Sequence, residues 1–121
     1  MPNILIIDDD NQFRTMLRKM VERNGYEVIE ASDGKEGIKL YRKNPTDLII
    51  TDLIMPEKDG IETIQELRKD FPDVKIIAIS GGGRLGPHDY LHLAKMLGAQ
   101  RTLTKPIELD ELLKAIEELL K

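Results

Sequence analysis

Four short segments constrain the fold of this chain most strongly, because in each of them a charged or hydroxyl residue follows apolar residues. The runs are ILIIDDD (4–10), DLIITDLIMP (47–56), VKIIAIS (74–80) and TLTKPI (102–107). Because they are short and rich in isoleucine, they indicate buried β-strands. The carboxyl ends of parallel strands line one crevice. The sequence therefore predicts that five side chains converge there. They are Asp8, Asp9, Asp52, Ser80 and Lys105.

Segments with helical spacing of apolar residues separate these runs. The strands are predicted at 3–8, 26–31, 47–52, 75–80 and 101–104. The first helix has a stripe of Phe13, Met16, Leu17, Met20 and Val21. Strands that alternate with helices through short connections predict an α/β fold. It is a (βα)₅ doubly wound, three-layer sandwich around a parallel five-stranded sheet. No linker or repeat interrupts it, so residues 1–121 are predicted to form one domain without an output domain.

Composition narrows the classes of function. The 121 residues are 40% hydrophobic and 33% charged, with a net charge of −4. That balance does not predict the basic surface of a nucleic-acid binder. The absence of cysteine excludes disulfides, thiolate zinc sites and thiol catalysis. No apolar stretch approaches the roughly 20 residues that cross a bilayer, and the N-terminus lacks a basic leader. We expect a soluble cytoplasmic protein that binds neither nucleic acid nor membrane.

The acids at the first and third strand ends predict a cation site. Two carboxylates about 4 Å apart repel by roughly 4 kcal/mol at an effective dielectric near 20. A fold tolerates that repulsion with a compensating cation or a raised pKa. Oxygen ligands from Asp8, Asp9 and Asp52 would suit Mg²⁺, with Mn²⁺ as a second candidate. Asp10 is better placed to cap the helix that follows.

Asp52 also suits a second role, because a carboxylate can act as a nucleophile and carry a phosphoryl group. The transferred group is negative, so the ammonium of Lys105 and the hydroxyl of Ser80 would favour it. Lys105 or Ser80 alone would be an ordinary residue at the end of a strand. Together, four strand ends whose side chains suit a cation and a phosphoryl group favour a phosphoryl site.

The chain resembles the receiver domain of two-component response regulators across essentially its whole length. The motifs that match, in the order and near the spacing of that family, are ILIIDDD, DLIITDLIMPEKDG, IIAIS and TLTKPI. The likeness is to the single-domain, chemotaxis-regulator type. The resemblance implies a flavodoxin-like sheet of strand order 2-1-3-4-5. It also implies that Asp52 is the phosphoacceptor, and that the backbone carbonyl of Ile54 joins Asp8, Asp9 and Asp52 around Mg²⁺.

The resemblance further implies a phosphorelay partner and a downstream protein target. The donor would be a histidine kinase or a histidine phosphotransfer protein, and Ser80 and Lys105 would contact the phosphoryl oxygens. A cis peptide is expected before Pro106. Beyond its own phosphorylation and slow dephosphorylation, such a domain is not an enzyme.

Two features depart from the family pattern. The position three residues before Lys105, often aromatic in the family, is Thr102. The segment from Ser80 to Lys105 is also about three residues longer than usual, with the extra length expected within 81–87. We expect phosphorylation to shift the loop and helix face of residues 81–97.

Two other functions remain open at this point. The first is a haloacid-dehalogenase-like phosphatase with Asp8 as nucleophile and Asp10 as acid. Such enzymes usually have Thr two positions after the second acid, where this chain has Gln12. The second is a receiver-like interaction domain that is never phosphorylated.

Overall fold

A computed structural model describes residues 1–53, 60–81, 92, 95–96 and 98–121. Strands and helices alternate from the first strand to the fourth, and the fifth strand and the last helix follow. The strands are β1 (Asn3–Ile7), β2 (Glu27–Ala31), β3 (Leu48–Asp52), β4 (Ile76–Ser80) and β5 (Arg101–Thr104). The helices are α1 (Asn11–Arg23), α2 (Gly34–Lys43), α3 (Gly60–Asp70) and α4 (Leu109–Leu120). None of these four helices is long and apolar enough to span a membrane. Every predicted strand is present, with ends within one residue of those predicted.

The five strands form one parallel sheet of order β2-β1-β3-β4-β5, which confirms the predicted topology. The register places Asp52 opposite Ile79 and Ser80 opposite Thr104. Backbone hydrogen bonds continue the ladders just past the strands. The Leu53 N–H donates to the Ile79 carbonyl (3.0 Å) and the Lys105 N–H donates to the Ser80 carbonyl (2.9 Å). The carboxyl ends of β3, β4 and β5 therefore finish level with one another.

Both faces of the sheet are covered, which explains the unbroken apolar runs 4–7 of β1, 48–50 of β3 and 76–79 of β4. Because alternate residues of a strand point to opposite faces, the core divides into two clusters. Leu5 and Ile7 pack with the inner sides of α2 and α3. Ile4 and Ile6 pack with the inner sides of α1 and α4. Met16, predicted within the apolar stripe of α1, is instead 44% exposed.

Local sequence explains where α1 and α2 begin. The Asp10 carboxylate accepts the Gln12 and Phe13 amides at 3.0 and 3.1 Å, and Asp33 accepts the Glu36 amide at 2.8 Å. These caps satisfy amides that have no partner within the helix. After α1 the chain turns at Gly25, whose φ of +92° is rarely adopted by side chains with a Cβ. The cap at Asp10 starts α1 immediately beside the end of β1.

Candidate functional site

The carboxyl edge of the sheet brings together the acids that the sequence predicted there. Asp8 follows β1 directly and Asp52 ends β3. One carboxylate oxygen from each of Asp8, Asp9 and Asp52 lies within 4.8 Å of the others. The Lys105 Nζ lies 3.6 Å from Asp8 Oδ2 and 3.7 Å from Asp52 Oδ1. Four of the five predicted side chains thus form one cluster.

Burial makes this cluster electrostatically costly. Asp8 is 2% exposed and Asp52 is 7% exposed, whereas Asp9 faces solvent. Burial raises the pKa of Asp52 to about 7, and the negative charge of Asp8 adds to the rise while Lys105 opposes it. Burial likewise raises the pKa of Asp8, against the hydrogen bond from the Asp10 amide and the charge of Lys105. The Lys105 ammonium therefore does not offset the burial of these carboxylates.

Ser80 occupies the end of β4, between β3 and β5 in the sheet, and is fully buried. Its Oγ has no hydrogen-bond partner within the described part of the chain. A buried hydroxyl without a partner is unfavourable by roughly 1–3 kcal/mol. Such a group at a strand end that borders the acidic cluster is available to a ligand oxygen.

Lys105 has contacts that the sequence pattern did not reveal. Its Nζ lies over the Phe13 ring, 4.2 Å from the ring centroid. A Cβ placed on Gly81 would lie 2.6 Å from Lys105 Cδ and 3.0 Å from its Cβ. The lysine stem therefore lies against the Gly81 backbone. Phe13 was predicted only as a core residue, since helical spacing cannot show what lies over a ring.

An arginine clamp holds the main chain of Asp8. Arg14 Nη1 donates to the Asp8 carbonyl at 2.7 Å, and its Nε donates to Glu30 Oε1 at 2.9 Å. Glu30 also accepts Arg18 Nη1 at 2.7 Å. This clamp was not predicted from the sequence, although a glutamate within β2 is a signal for a basic partner, since strands are depleted in glutamate.

Asp10 belongs to the helix rather than to the acidic cluster. Its carboxylate accepts two amides of the first turn of α1, and its own N–H donates to Asp8 Oδ1 at 2.9 Å. This confirms the predicted cap. The carboxylate that a haloacid-dehalogenase-like phosphatase would use as its acid therefore accepts two backbone amides of α1.

Gly60 lets the chain return close over the end of β3. A Cβ at this position would lie 2.2 Å from the Asp52 carbonyl oxygen and 2.5 Å from Leu53 Cα. The Gly60 N–H also donates to the Leu53 carbonyl at 2.9 Å. Only a residue without a Cβ fits there, so a side chain at position 60 would displace the backbone that carries Asp52.

Four further features that the sequence singled out are Thr102, the peptide bond before Pro106, the Ile54 carbonyl and the 81–97 face. Thr102 is half-buried on β5 opposite Ala78. The peptide bond between Lys105 and Pro106 is cis, as the resemblance implied. The Ile54 carbonyl and almost all of the predicted 81–97 loop and helix face lie outside the described residues. Within that face, His92, Lys95 and Met96 are helical.

The donor set fits a hard divalent cation. Asp8, Asp9 and Asp52 offer carboxylate oxygens, and no histidine or cysteine belongs to the cluster as far as the described residues extend. Hard cations such as Mg²⁺ prefer oxygen ligands. Burial raises the pKa of Asp52 and of Asp8 although the charge of Lys105 opposes the rise, so further positive charge would stabilise both carboxylates. A cation would supply that charge.

Comparisons with known proteins agree with this geometry. Residues 4–117 match the response regulator receiver domain family. The chain is 34% identical over 122 residues to the chemotaxis protein CheY of Listeria monocytogenes, with all of both chains covered. It is 29% identical to sporulation initiation phosphotransferase F of Bacillus subtilis, covering 97% of this chain and 92% of that protein.

A solved structure of similar shape is the response regulator TrrA of Thermotoga maritima in complex with Mg²⁺ and BeF. It superposes with a TM-score of 0.89 at 32% identity, covering 99% of this chain and 100% of that one. The family match, the structural similarity and the strand order therefore all indicate a receiver domain. The chain belongs to the response regulator receiver domain family and is a phosphorylation-dependent signalling module of two-component systems.

Proposed function

We propose that Asp52 is the residue of this receiver that accepts the phosphoryl group. The observation that carries the proposal is the surroundings of its carboxylate. Asp52 is buried, lies within 4.8 Å of oxygens of Asp8 and Asp9, and has the Lys105 ammonium 3.7 Å away. Among the three acids, Asp52 alone ends a strand at the centre of the sheet.

The proposed transfer is a displacement at phosphorus. An Asp52 carboxylate oxygen attacks, a new O–P bond forms, and the P–N bond to the histidine of the donor breaks. The imidazole leaves with the bonding electron pair and takes up a proton. Positioning and electrostatic stabilisation account for most of the catalysis in such reactions. Lys105 would stabilise the phosphoryl oxygens through its charge, and the Ser80 hydroxyl would donate a hydrogen bond to one of them.

Asp8, Asp9 and Asp52 would hold Mg²⁺, or Mn²⁺, with the Ile54 carbonyl as a further expected ligand. When bound, the ion neutralises negative charge on the phosphoryl oxygens. Asp8 is the best fixed of these ligands, because Arg14 binds its carbonyl and the Asp10 amide binds its carboxylate. Asp9 is exposed and free to adjust to the ion.

The proposed cycle is that of a cytoplasmic switch rather than of an enzyme with turnover. A histidine kinase or histidine phosphotransfer protein would supply the phosphoryl group, and slow hydrolysis would remove it. Phosphorylation would shift the population of two conformations at the 81–97 face, which a downstream protein would recognise. Residues 1–121 would form the single receiver domain that undergoes this phosphorylation cycle.

The test uses phosphoramidate as a small phosphodonor with Mg²⁺, followed by intact-mass measurement and mapping of the adduct. We expect one phosphoryl adduct on Asp52. The Asp52→Asn variant should form none, and chelation of the metal should prevent the adduct in the unchanged protein. Asp73→Asn is the matched control, since Asp73 is an exposed aspartate outside the cluster, and it should be phosphorylated normally.

Two results would contradict the proposal. An adduct on Asp8, or rapid hydrolysis of several phosphate esters, would favour the phosphatase. No adduct on any variant, together with no heat of Mg²⁺ binding by calorimetry, would favour an interaction domain that is never phosphorylated.

A further inference from the structure

Lys105 makes one close contact that neither a cation nor a phosphoryl group requires. Its ammonium lies between the carboxylates of Asp8 and Asp52, and the Phe13 ring lies below it, with the centroid 4.2 Å from Nζ. A cation within about 6 Å of a ring centroid and over the ring face is attracted by the ring quadrupole. The side chain is 26% exposed, so water screens this attraction only in part.

We propose that Phe13 is a positioning residue that holds the Lys105 ammonium beside Asp52. The inference rests on the proposed role of Asp52 as phosphoacceptor. The two carboxylates alone do not fix the ammonium, because both lie beyond ordinary hydrogen-bond distance at 3.6 and 3.7 Å. The ring adds a third attraction from another direction and narrows the positions that the ammonium can occupy.

Gly81 supports the same conformation from the other end of the lysine. Its backbone lies so close to Lys105 that an added Cβ would approach the lysine Cβ, Cγ and Cδ at 3.0, 3.1 and 2.6 Å. Lysine is among the side chains that lose the most rotamer freedom on ordering. With its stem against Gly81 and its head over Phe13, Lys105 has lost part of that freedom before any ligand arrives.

The ring contact also differs from the carboxylate contacts in how it responds to phosphorylation. Once Asp52 becomes an acyl phosphate, its carboxylate no longer attracts the ammonium in the same place. The Phe13 ring carries no titratable group and keeps its attraction. The ammonium would therefore stay at the end of β3 while its partner changes from a carboxylate to a phosphoryl oxygen.

The first test needs no phosphorylation. Protons on the Lys105 Cε should resonate upfield of ordinary lysine positions, because they lie over an aromatic face. The shift should vanish in Phe13→Leu and persist in Phe13→Tyr, which retains the ring. Met20→Leu is the matched control, because Met20 lies on the same helix and packs against the same core cluster. Ordinary Cε proton positions in the unchanged protein would overturn the inference without any variant.

The second test measures the rate of phosphorylation by phosphoramidate at saturating Mg²⁺. Loss of a partly exposed cation–π contact predicts a rate about fivefold lower in Phe13→Leu. Phe13→Tyr should restore the rate, and Met20→Leu should leave it unchanged. Equal rates in Phe13→Leu and the unchanged protein would overturn the inference. Absence of any adduct in the unchanged protein would instead refute the role of Asp52, while the proton shift would still decide the role of Phe13.

Discussion

The buried carboxylate of Asp52 predicts that its replacement by asparagine stabilises the metal-free protein. Folding raises the pKa of Asp52 from its ordinary value of 3.8 to about 7, chiefly through burial and the charge of Asp8. Between these two pH values the folded state holds a proton that the unfolded state has released. Stability therefore falls as pH rises through this window, and it stays low above pH 7. Asparagine keeps the shape of the side chain and removes the titration.

The magnitude follows from the size of the shift. A rise of about three pH units, at 1.36 kcal/mol per unit, corresponds to a free energy of unfolding lower by about 4 kcal/mol at pH 8. At pH 5 only about 1.6 kcal/mol of that loss has developed. Domains of this size have total stabilities of about 5–15 kcal/mol, so either difference is large enough to measure.

The assay is urea unfolding followed by circular dichroism, with a chelator present, at pH 5 and pH 8. Asp52→Asn should exceed the unchanged protein in unfolding free energy at both values, and the difference should be clearly larger at pH 8. Asp73→Asn, at an exposed position, should change stability by less than about 0.5 kcal/mol at either pH. A stability difference for Asp52→Asn that does not grow with pH would refute this prediction, because buried charge could then not be its cause.

Three further variants test the surroundings of Asp52. In urea unfolding, Ser80→Ala should leave the free energy of unfolding unchanged or raise it by up to about 1 kcal/mol, since its Oγ has no partner among the described residues. The same variant should be phosphorylated more slowly by phosphoramidate. Gly60→Ala should lower stability by about 3 kcal/mol in the same assay, because backbone atoms of Asp52 and Leu53 occupy the place of its Cβ. Arg14→Ala should cost about 2 kcal/mol and weaken Mg²⁺ binding by calorimetry, with Arg14→Lys intermediate, because the clamp on Asp8 is lost. Unchanged stability in Gly60→Ala would contradict the close approach of Gly60 to Asp52 and Leu53. Lower stability in Ser80→Ala would contradict an unsatisfied hydroxyl, and unchanged Mg²⁺ binding in Arg14→Ala would contradict the role of the clamp.

The sequence was sufficient to predict the sheet and the convergence of its strand ends. β1, β3 and β4 are apolar on both faces, a pattern that only a sheet covered on both sides explains. Once the strands are parallel, residues that follow them must share one edge. Asp8, Asp52 and Lys105 therefore meet for reasons of topology, and no long-range contact had to be known in advance.

Contacts between elements could not be predicted in this way. The apolar stripe that includes Phe13 indicates that α1 packs on the sheet. Periodicity does not show that the Phe13 ring contacts Lys105 or that Arg14 binds the Asp8 carbonyl. Those contacts depend on how α1 lies across the strand ends. Gly60 is similar, because the sequence does not show that backbone atoms of Asp52 and Leu53 occupy the place where its Cβ would lie.

The charges of the site argue that cation and phosphoryl group bind together. Among the described residues, three carboxylates lie close to one ammonium, and burial already raises the pKa of both Asp8 and Asp52. A phosphoryl group would bring further negative charge to a cluster in which carboxylates outnumber the ammonium. A divalent cation would offset this excess of negative charge, so its presence should favour phosphoryl binding. By linkage, a phosphoryl group on Asp52 should then strengthen the binding of the cation by the same factor. Asp52 would thus connect the two ligands, since its carboxylate contributes to the cation site and carries the phosphoryl group.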